Sequence, residues 1–217
     1  MQVFGDAVSI ALGLVTAADP VRLEIIGQSL RVSLTAVGLS CVLGLPVGAA
    51  VAMGRFTGRS VIIVLMNALM GLPPVVVGLG VYLLLSNAGP FGWLSLLYTP
   101  TAMIVAQTIL ITPIVAALSR EIIEQLHLEY AEQFRSLCVP RHTAVLALLW
   151  DGRYSLLTVA LAGFGRAVAE VGAVIIVGGN IDHLTRVMTT AIALETSKGN
   201  LALALALGAV LITIALT

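Results

Sequence analysis

Long apolar stretches without a charged side chain make up most of this chain. No Asp, Glu, Lys or Arg occurs in residues 32–54, 60–119 or 199–217. A helix needs about 20 apolar residues to cross the hydrocarbon core of a bilayer. A soluble helix would also carry a polar face, which these stretches lack. The pattern therefore predicts an all-α integral membrane protein.

Turn residues and clustered charges divide the apolar sequence into five predicted membrane spans. The spans cover residues 25–53, 60–85, 100–118, 154–177 and 201–217. A weakly amphipathic segment in residues 1–20 precedes them and ends at Asp19 and Pro20, a pair that can cap and open the next helix. We predict that this segment is an N-terminal interfacial helix and that residues 21–217 form a single transmembrane domain.

Two local features within the spans predict close packing and a break. Gly44 and Gly48 lie four residues apart in the first span, a spacing that allows helices to approach closely. Pro73 and Pro74 remove two backbone donors from the second span, so the helix should kink or break there. Because freed carbonyl groups need partners in hydrocarbon, we expect this break to face protein or a water-filled path.

Composition agrees with a membrane protein. The 217 residues are 59% hydrophobic and 10% charged, with a mean hydropathy of +1.07, whereas soluble domains carry about 25% charged residues. The formal net charge is zero, which gives no electrostatic reason to expect nucleic acid as a partner. We therefore expect membrane lipid to surround the apolar helices of the chain.

The loop at residues 120–153 differs from the rest of the chain because charge is concentrated there. Residues 130–137 and 143–150 are predicted to form two short helices, separated by Pro140, which disfavours helical geometry at the preceding residue. We predict a folded aqueous element that contacts a partner. Its charged residues are Arg120, Glu121, Glu124, Glu129, Glu132, Arg135, Arg141, Asp151 and Arg153.

The distribution of basic residues predicts the orientation of the chain. Arg55 and Arg59 lie in the turn at residues 54–59, on the same predicted side as the loop at residues 120–153, while the other side holds only Arg22, Arg186 and Lys198. Basic residues accumulate in cytoplasmic loops. We therefore predict a cytoplasmic loop, an external N-terminus and a cytoplasmic C-terminus.

Catalytic motifs are missing from the sequence. Lys198 is the single lysine and lacks the glycine spacing of a phosphate-binding loop. His127, His142 and His183 show no metal-ligand spacing with one another or with a cysteine. We predict that the chain is not an enzyme, holds no metal and binds no cofactor itself.

The segment from Glu132 to Pro140 (EQFRSLCVP) resembles the coupling-loop signature of ABC importer permeases, which is Glu-Ala-Ala, three residues, then Gly. The resemblance gives Glu132 the acidic position and Leu137 the apolar position before the turn. Cys138 stands where the family has Gly, and Gln133 and Phe134 replace the two alanines. It implies a coupling site formed by Glu129, Glu132, Arg135, Leu137 and Cys138.

The resemblance covers nearly the whole chain. The segments LPPVVVG and GPFG in residues 72–92 are similar to molybdate, tungstate and sulfate permeases. The runs GFGRAVAEVGA, VGGNI and TRVMTTAIALETSKG in residues 163–199 resemble the tungstate branch. The resemblance implies a type I ABC importer permease in the inner membrane of a bacterium or archaeon, working as a homodimer with two cytoplasmic ATPases, which bind ATP and Mg²⁺, and an extracytoplasmic oxyanion-binding protein.

Two further sets of residues are candidates for the anion's route. Arg166 and Glu170 lie four apart in the fourth predicted span and so on one helical face, where a buried ion pair could serve the path, a gate or helix packing. Pro73 and Pro74 are candidates for the same path. The candidates for the outer mouth are Arg186, Thr189, Thr190 and Lys198.

Other functions are compatible with the same sequence. The same architecture could carry molybdate or sulfate instead of tungstate. A different class, a stand-alone secondary anion transporter or channel, would use the Arg166 and Glu170 pair without ATP.

Overall fold

The computed structural model describes the backbone of residues 20–216 and the side chains of residues 23–216. These residues form helices joined by short turns, with no strand among them. The all-α prediction is therefore confirmed for the described part of the chain. The interfacial helix predicted for residues 1–20 lies outside the described residues, except for Pro20.

The first two predicted spans agree with the helices. Helix α1 covers Pro20–Met53, α2 covers Arg59–Met70 and α3 covers Pro74–Leu85. Helix α2 ends just before Gly71, and α3 begins at Pro74, whose missing N–H costs nothing at the first helical position. The break predicted from the two prolines is confirmed. A 3₁₀ turn at Gly92–Leu94 follows.

Helix α4, Pro100–Glu129, is longer than the predicted third span. The first residues of the predicted loop at 120–153 are helical, because residues 119–129 continue α4; the aqueous surrounding of this loop stays a prediction. Residues 119–129 contain neither Gly nor Pro, and the charged pair Arg120 and Glu124 bonds across one helical turn at 2.5 Å, as i, i+4 pairs do. Charge therefore marks where the helix leaves the apolar region and not where the helix ends.

Two short helices follow, as predicted. Helix α5 covers Ala131–Ser136 and α6 covers Arg141–Asp151, with Pro140 between them. Helix α7 covers Arg153–Val168 and is bent by 71° from α6. We name residues 130–151 the coupling segment.

The fourth predicted span, residues 154–177, is not one helix. Helix α7 ends at Val168, and the separate helix α8 covers Gly172–Gly178. Helices α9, Met188–Ser197, and α10, Leu201–Leu216, complete the described chain. Within residues 20–216, two helices are long and apolar enough to span a membrane, or up to four spans if each bent helix pair counts as one, and α10 is a shorter apolar helix. The count of five spans stays a prediction.

The chain divides into two compact units. One comprises Pro74–Gln107, Ala167–Thr217 and the described part of Met1–Thr35, and the other comprises Ala36–Pro73 and Thr108–Arg166. In the first unit, α3 packs on α8 and α9 packs on α10. In the second, Ala49 and Ala52 of α1 form a buried cluster with Ile123, Leu148 and Leu156.

Candidate functional site

The coupling segment presents its signature residues to solvent. The side chains of Glu129, Glu132 and Arg135 lie at the surface, and Leu137 is 73% exposed at the end of α5. Helix α5 has no buried residue. The predicted coupling residues from Glu132 to Cys138 therefore lie together on one accessible segment, and Glu129 lies beside it at the end of α4.

The opposite side of the coupling segment is anchored in the second unit. Leu148 of α6 is 1% exposed and packs with Ala49, Ile123 and Leu156. Tyr130 and Phe134 pack against the same cluster. The Tyr130 hydroxyl donates a hydrogen bond to Asp151 at 3.0 Å, and that carboxylate raises the pKa of Tyr130. Because close-packed side chains transmit displacement, a force on α5 and α6 reaches α1 and α4.

Cys138 adopts the conformation for which the usual family residue is glycine. Its φ is 50°, and its N–H donates to the Arg135 carbonyl at 3.2 Å, while the Val139 N–H donates to the Phe134 carbonyl at 3.0 Å. This pair of bonds is the Schellman motif that ends a helix. The turn geometry at Cys138 is therefore that of a glycine turn, made with a cysteine.

Replacing Cys138 by glycine is expected to stabilise the chain by about 1 kcal/mol, because glycine adopts positive φ without steric cost. The matched control is Ser136→Gly, which places glycine inside α5 and should destabilise the chain. Thermal unfolding of the purified protein measures both changes. A lower melting temperature for Cys138→Gly would contradict strain at this turn.

An ion network secures the turn between α1 and α2 to α4. The Arg59 guanidinium donates to the Val51 carbonyl at 2.9 Å and the Ala52 carbonyl at 3.3 Å, and it pairs with Glu124 at 2.7 Å. The Glu124 carboxylate also accepts a hydrogen bond from the Arg120 guanidinium at 2.5 Å. The sequence pattern did not predict this network. The i, i+4 spacing of Arg120 and Glu124 could have indicated one pair, but nothing local indicates Arg59.

The path candidates Pro73 and Pro74 flank the break between α2 and α3, where Pro73 is exposed and Pro74 is half-buried. The placement of Arg166 and Glu170 on one helical face is wrong, because α7 ends at Val168 and Glu170 lies in the following turn. Arg166 belongs to the second unit and Glu170 to the first. Their pairing and their role in the path stay predictions.

Polar side chains satisfy the backbone where the fourth predicted span breaks. Glu170 is 4% exposed, and its Oε1 accepts the Ala173 N–H of α8 at 3.1 Å. Gln107, 3% exposed, donates from Nε2 to the Ala167 carbonyl at 3.0 Å. Freed backbone groups require such partners away from water. Gln107 was missed, although a lone amide in an apolar span was a visible signal.

The outer-mouth candidates separate into two groups. Arg186 pairs with Asp182 at 2.7 Å, and Lys198 pairs with Glu195 at 2.8 Å, which lowers the pKa of Glu195. The expectation that Thr189 and Thr190 present hydroxyls to an opening is wrong for this structure. Both are buried, and their hydroxyls bond internally, to the Glu170 carbonyl and to the Val187 backbone.

A hydrogen bond that becomes an ion pair when His183 is protonated joins His183 and Glu24, and the sequence pattern did not predict it. His183 Nδ1 lies 2.8 Å from Glu24 Oε2, and the Gln28 amide donates to the Leu184 carbonyl at 3.1 Å. These two contacts join the beginning of α1 to the loop at residues 179–187. The hydrogen bond to Glu24, together with the charges of Glu24 and Asp182, raises the pKa of His183, against smaller opposing effects of desolvation and of Arg186.

This contact is expected to hold the loop more firmly in acid than in alkali. Because the folded-state pKa of His183 is raised, its stabilising effect is complete below the unfolded-state value of about 6.5. The effect is lost as the pH rises through the raised folded-state pKa. Histidine NMR titration should show a lower His183 pKa in Glu24→Gln than in the unmodified chain. Equal pKa values in the two proteins would exclude the contact.

Comparison with known proteins finds several transporter permeases that are similar to this chain. No protein-family model matches the chain. A probable anion ABC transporter permease of Haloferax volcanii is 41% identical over 89% of this chain and 85% of that protein. The tungstate uptake system permease TupB of Peptoclostridium acidaminophilum is 35% identical over 99% of this chain and 94% of its own length. The TupB permease of Campylobacter jejuni is 41% identical over 74% of this chain and 67% of its own length.

Proposed function

The chain belongs to the permease family of ABC transporters, and from that membership we propose that it forms half of the transmembrane pore of a tungstate importer. The observation that carries the proposal is the identity of 35% with a tungstate uptake permease over 99% of this chain. A match of that extent includes the coupling segment, the broken spans and the outer loops. The chain is a multi-pass membrane protein and not an enzyme.

In the proposed transporter, two copies of the chain pair in the plasma membrane. Two ATPase subunits, which bind ATP and Mg²⁺, contact the two coupling segments from the cytoplasm, and an extracytoplasmic binding protein delivers tungstate. The N-terminus then lies outside and the C-terminus inside, as the distribution of arginine indicates. Selectivity resides in the binding protein, because a tight site within the pore would slow release of the anion.

The proposed mechanism is alternating access driven through the coupling segment. The exposed face with Glu132 and Leu137 contacts the ATPase, and the buried face with Leu148 contacts Ala49 of α1 and Ile123 of α4. Closure of the two ATPases displaces the coupling segment, and the packed cluster passes that displacement to both long helices. ATP shifts the balance between outward-open and inward-open states only through its different interaction free energy with each state.

ATP-driven uptake in reconstituted vesicles tests the proposed function. The chain, its ATPase and its binding protein should import tungstate with ATP, and molybdate or sulfate should compete weakly. Strong competition by molybdate or sulfate would contradict tungstate as the transported anion but would still agree with an ATP-driven importer. Import by the chain alone, driven by an ion gradient, would instead establish the secondary transporter.

A further inference from the structure

A large cationic pocket lies beside the coupling segment, within the second unit. It has a volume of about 870 Å³ and is formed by the turn after α1, the end of α4, α5 and the start of α6. Its polar lining includes Arg55, His127, Arg135 and Arg141, and Phe56 contributes an aromatic wall. Arg135 and Cys138 also belong to the predicted coupling site, but that site does not account for Arg55, His127 and Arg141, which complete this concave surface.

Three arginines of the pocket lack partners within the described residues. The guanidinium groups of Arg55, Arg135 and Arg141 have no ion pair or hydrogen bond within residues 23–216. Glu124 is the one acidic residue among the described residues that line the pocket. It already forms ion pairs with Arg59 and Arg120. The pocket therefore carries an uncompensated positive charge supplied by three separate elements.

Two backbone and side-chain features add donors to the same surface. Helix α6 begins at the pocket with Arg141, and its N-terminus has no side-chain cap, whereas the Ala144 N–H already donates to the Pro140 carbonyl at 3.0 Å. Uncapped N–H groups and the helix dipole attract anions. His127 lines the pocket, and its Nδ1 is buried without a hydrogen-bond partner among the described residues. The arginine guanidinium groups, the N-terminus of α6 and the His127 imidazole can all donate hydrogen bonds to the oxygen atoms of an oxyanion.

We propose that this pocket binds a tetrahedral oxyanion group, supplied either by a free oxyanion or by the phosphate of an anionic phospholipid. Arginine recognises such groups through paired charge-assisted hydrogen bonds. An anion held between Arg55 and the pair Arg135 and Arg141 joins the turn after α1 to the coupling segment and so restrains that segment. The pocket faces the cytoplasm only if the proposed function is correct, but its binding chemistry is independent of that function.

Binding to the purified full-length chain tests this proposal. Isothermal titration in detergent would use sodium tungstate, sulfate and phosphate against chloride at matched ionic strength. Native mass spectrometry would compare retention of phosphatidylglycerol with that of phosphatidylcholine. The test variant is Arg55→Gln with Arg141→Gln, which leaves Arg135 in place. The control is Arg31→Gln with Arg153→Gln, which removes the same charge outside the pocket.

Either free oxyanion or phosphatidylglycerol should bind the unmodified chain and the control. The pocket variant should bind that ligand about a hundredfold more weakly, since each lost charge-assisted bond weakens binding by about tenfold. The two arms of the experiment identify the source of the oxyanion. Absence of binding in both arms, equal binding by the pocket variant, or contact of these arginines with protein carboxylates alone would overturn the proposal.

Failure of this proposal differs from failure of the proposed function. If the chain binds neither ligand but imports tungstate with ATP, only the proposal that the pocket binds an oxyanion is overturned. If the chain binds an oxyanion in the pocket but shows no ATP-driven import, only the proposed importer function is overturned.

Discussion

Replacing Gly48 by valine is expected to prevent the chain from folding to its native helix packing. Gly48 of α1 lies directly on α4, where an added Cβ would stand 2.6 Å from the Ala116 carbonyl oxygen and 3.0 Å from the Arg120 nitrogen, and would overlap the Ser119 hydroxyl. Two of these three atoms are backbone, so no rotamer change relieves the clash. Separating α1 from α4 should cost about 3 kcal/mol or more.

The same helix offers a matched control for this substitution. A Cβ added at Gly38 would meet no atom within 4 Å, so Gly38→Val should be tolerated in the isolated chain. Size-exclusion chromatography and thermal unfolding of the two variants in detergent measure the difference. A monodisperse Gly48→Val protein with an unchanged melting temperature would show that α1 and α4 do not pack as described.

Replacing Glu132 by arginine is expected to reduce ATP-driven tungstate uptake by at least about tenfold while leaving the chain folded. Glu132 is exposed and has no ion pair within the described residues, so its loss removes no internal contact. At the proposed ATPase interface, however, we expect a surface complementary to the negative charge of Glu132, and a positive charge placed against that surface costs several kcal/mol. Uptake should fall because the ATPase no longer displaces the coupling segment.

Glu121→Arg is the control for this charge reversal. Glu121 is also exposed, but it lies on α4 outside the coupling signature. Uptake, ATP hydrolysis and co-purification of the ATPase should be measured for both variants. Normal coupled uptake by Glu132→Arg would remove the coupling segment from the mechanism, and an equal loss in both variants would indicate a general effect of charge.

More of the predicted coupling residues than of the path candidates lie where the sequence placed them, and the role of both sets stays a prediction. Glu132, Leu137 and Cys138 follow one another closely in sequence, so a local motif was enough to place them on one exposed segment. The outer-mouth threonines were misplaced because hydroxyl composition does not indicate burial. Thr189 is buried through a bond to the Glu170 carbonyl, a contact between residues 19 positions apart that no local pattern reveals.

The sequence alone determined the membrane class, the break at Pro73 and Pro74, and the division of residues 130–151 into two short helices. Hydropathy and proline act on the neighbouring backbone, so these features are local. Only the tertiary structure decided the break after Val168, which Gln107 stabilises from 60 positions away, and the cationic pocket. Both depend on side chains that folding brings together from distant parts of the chain.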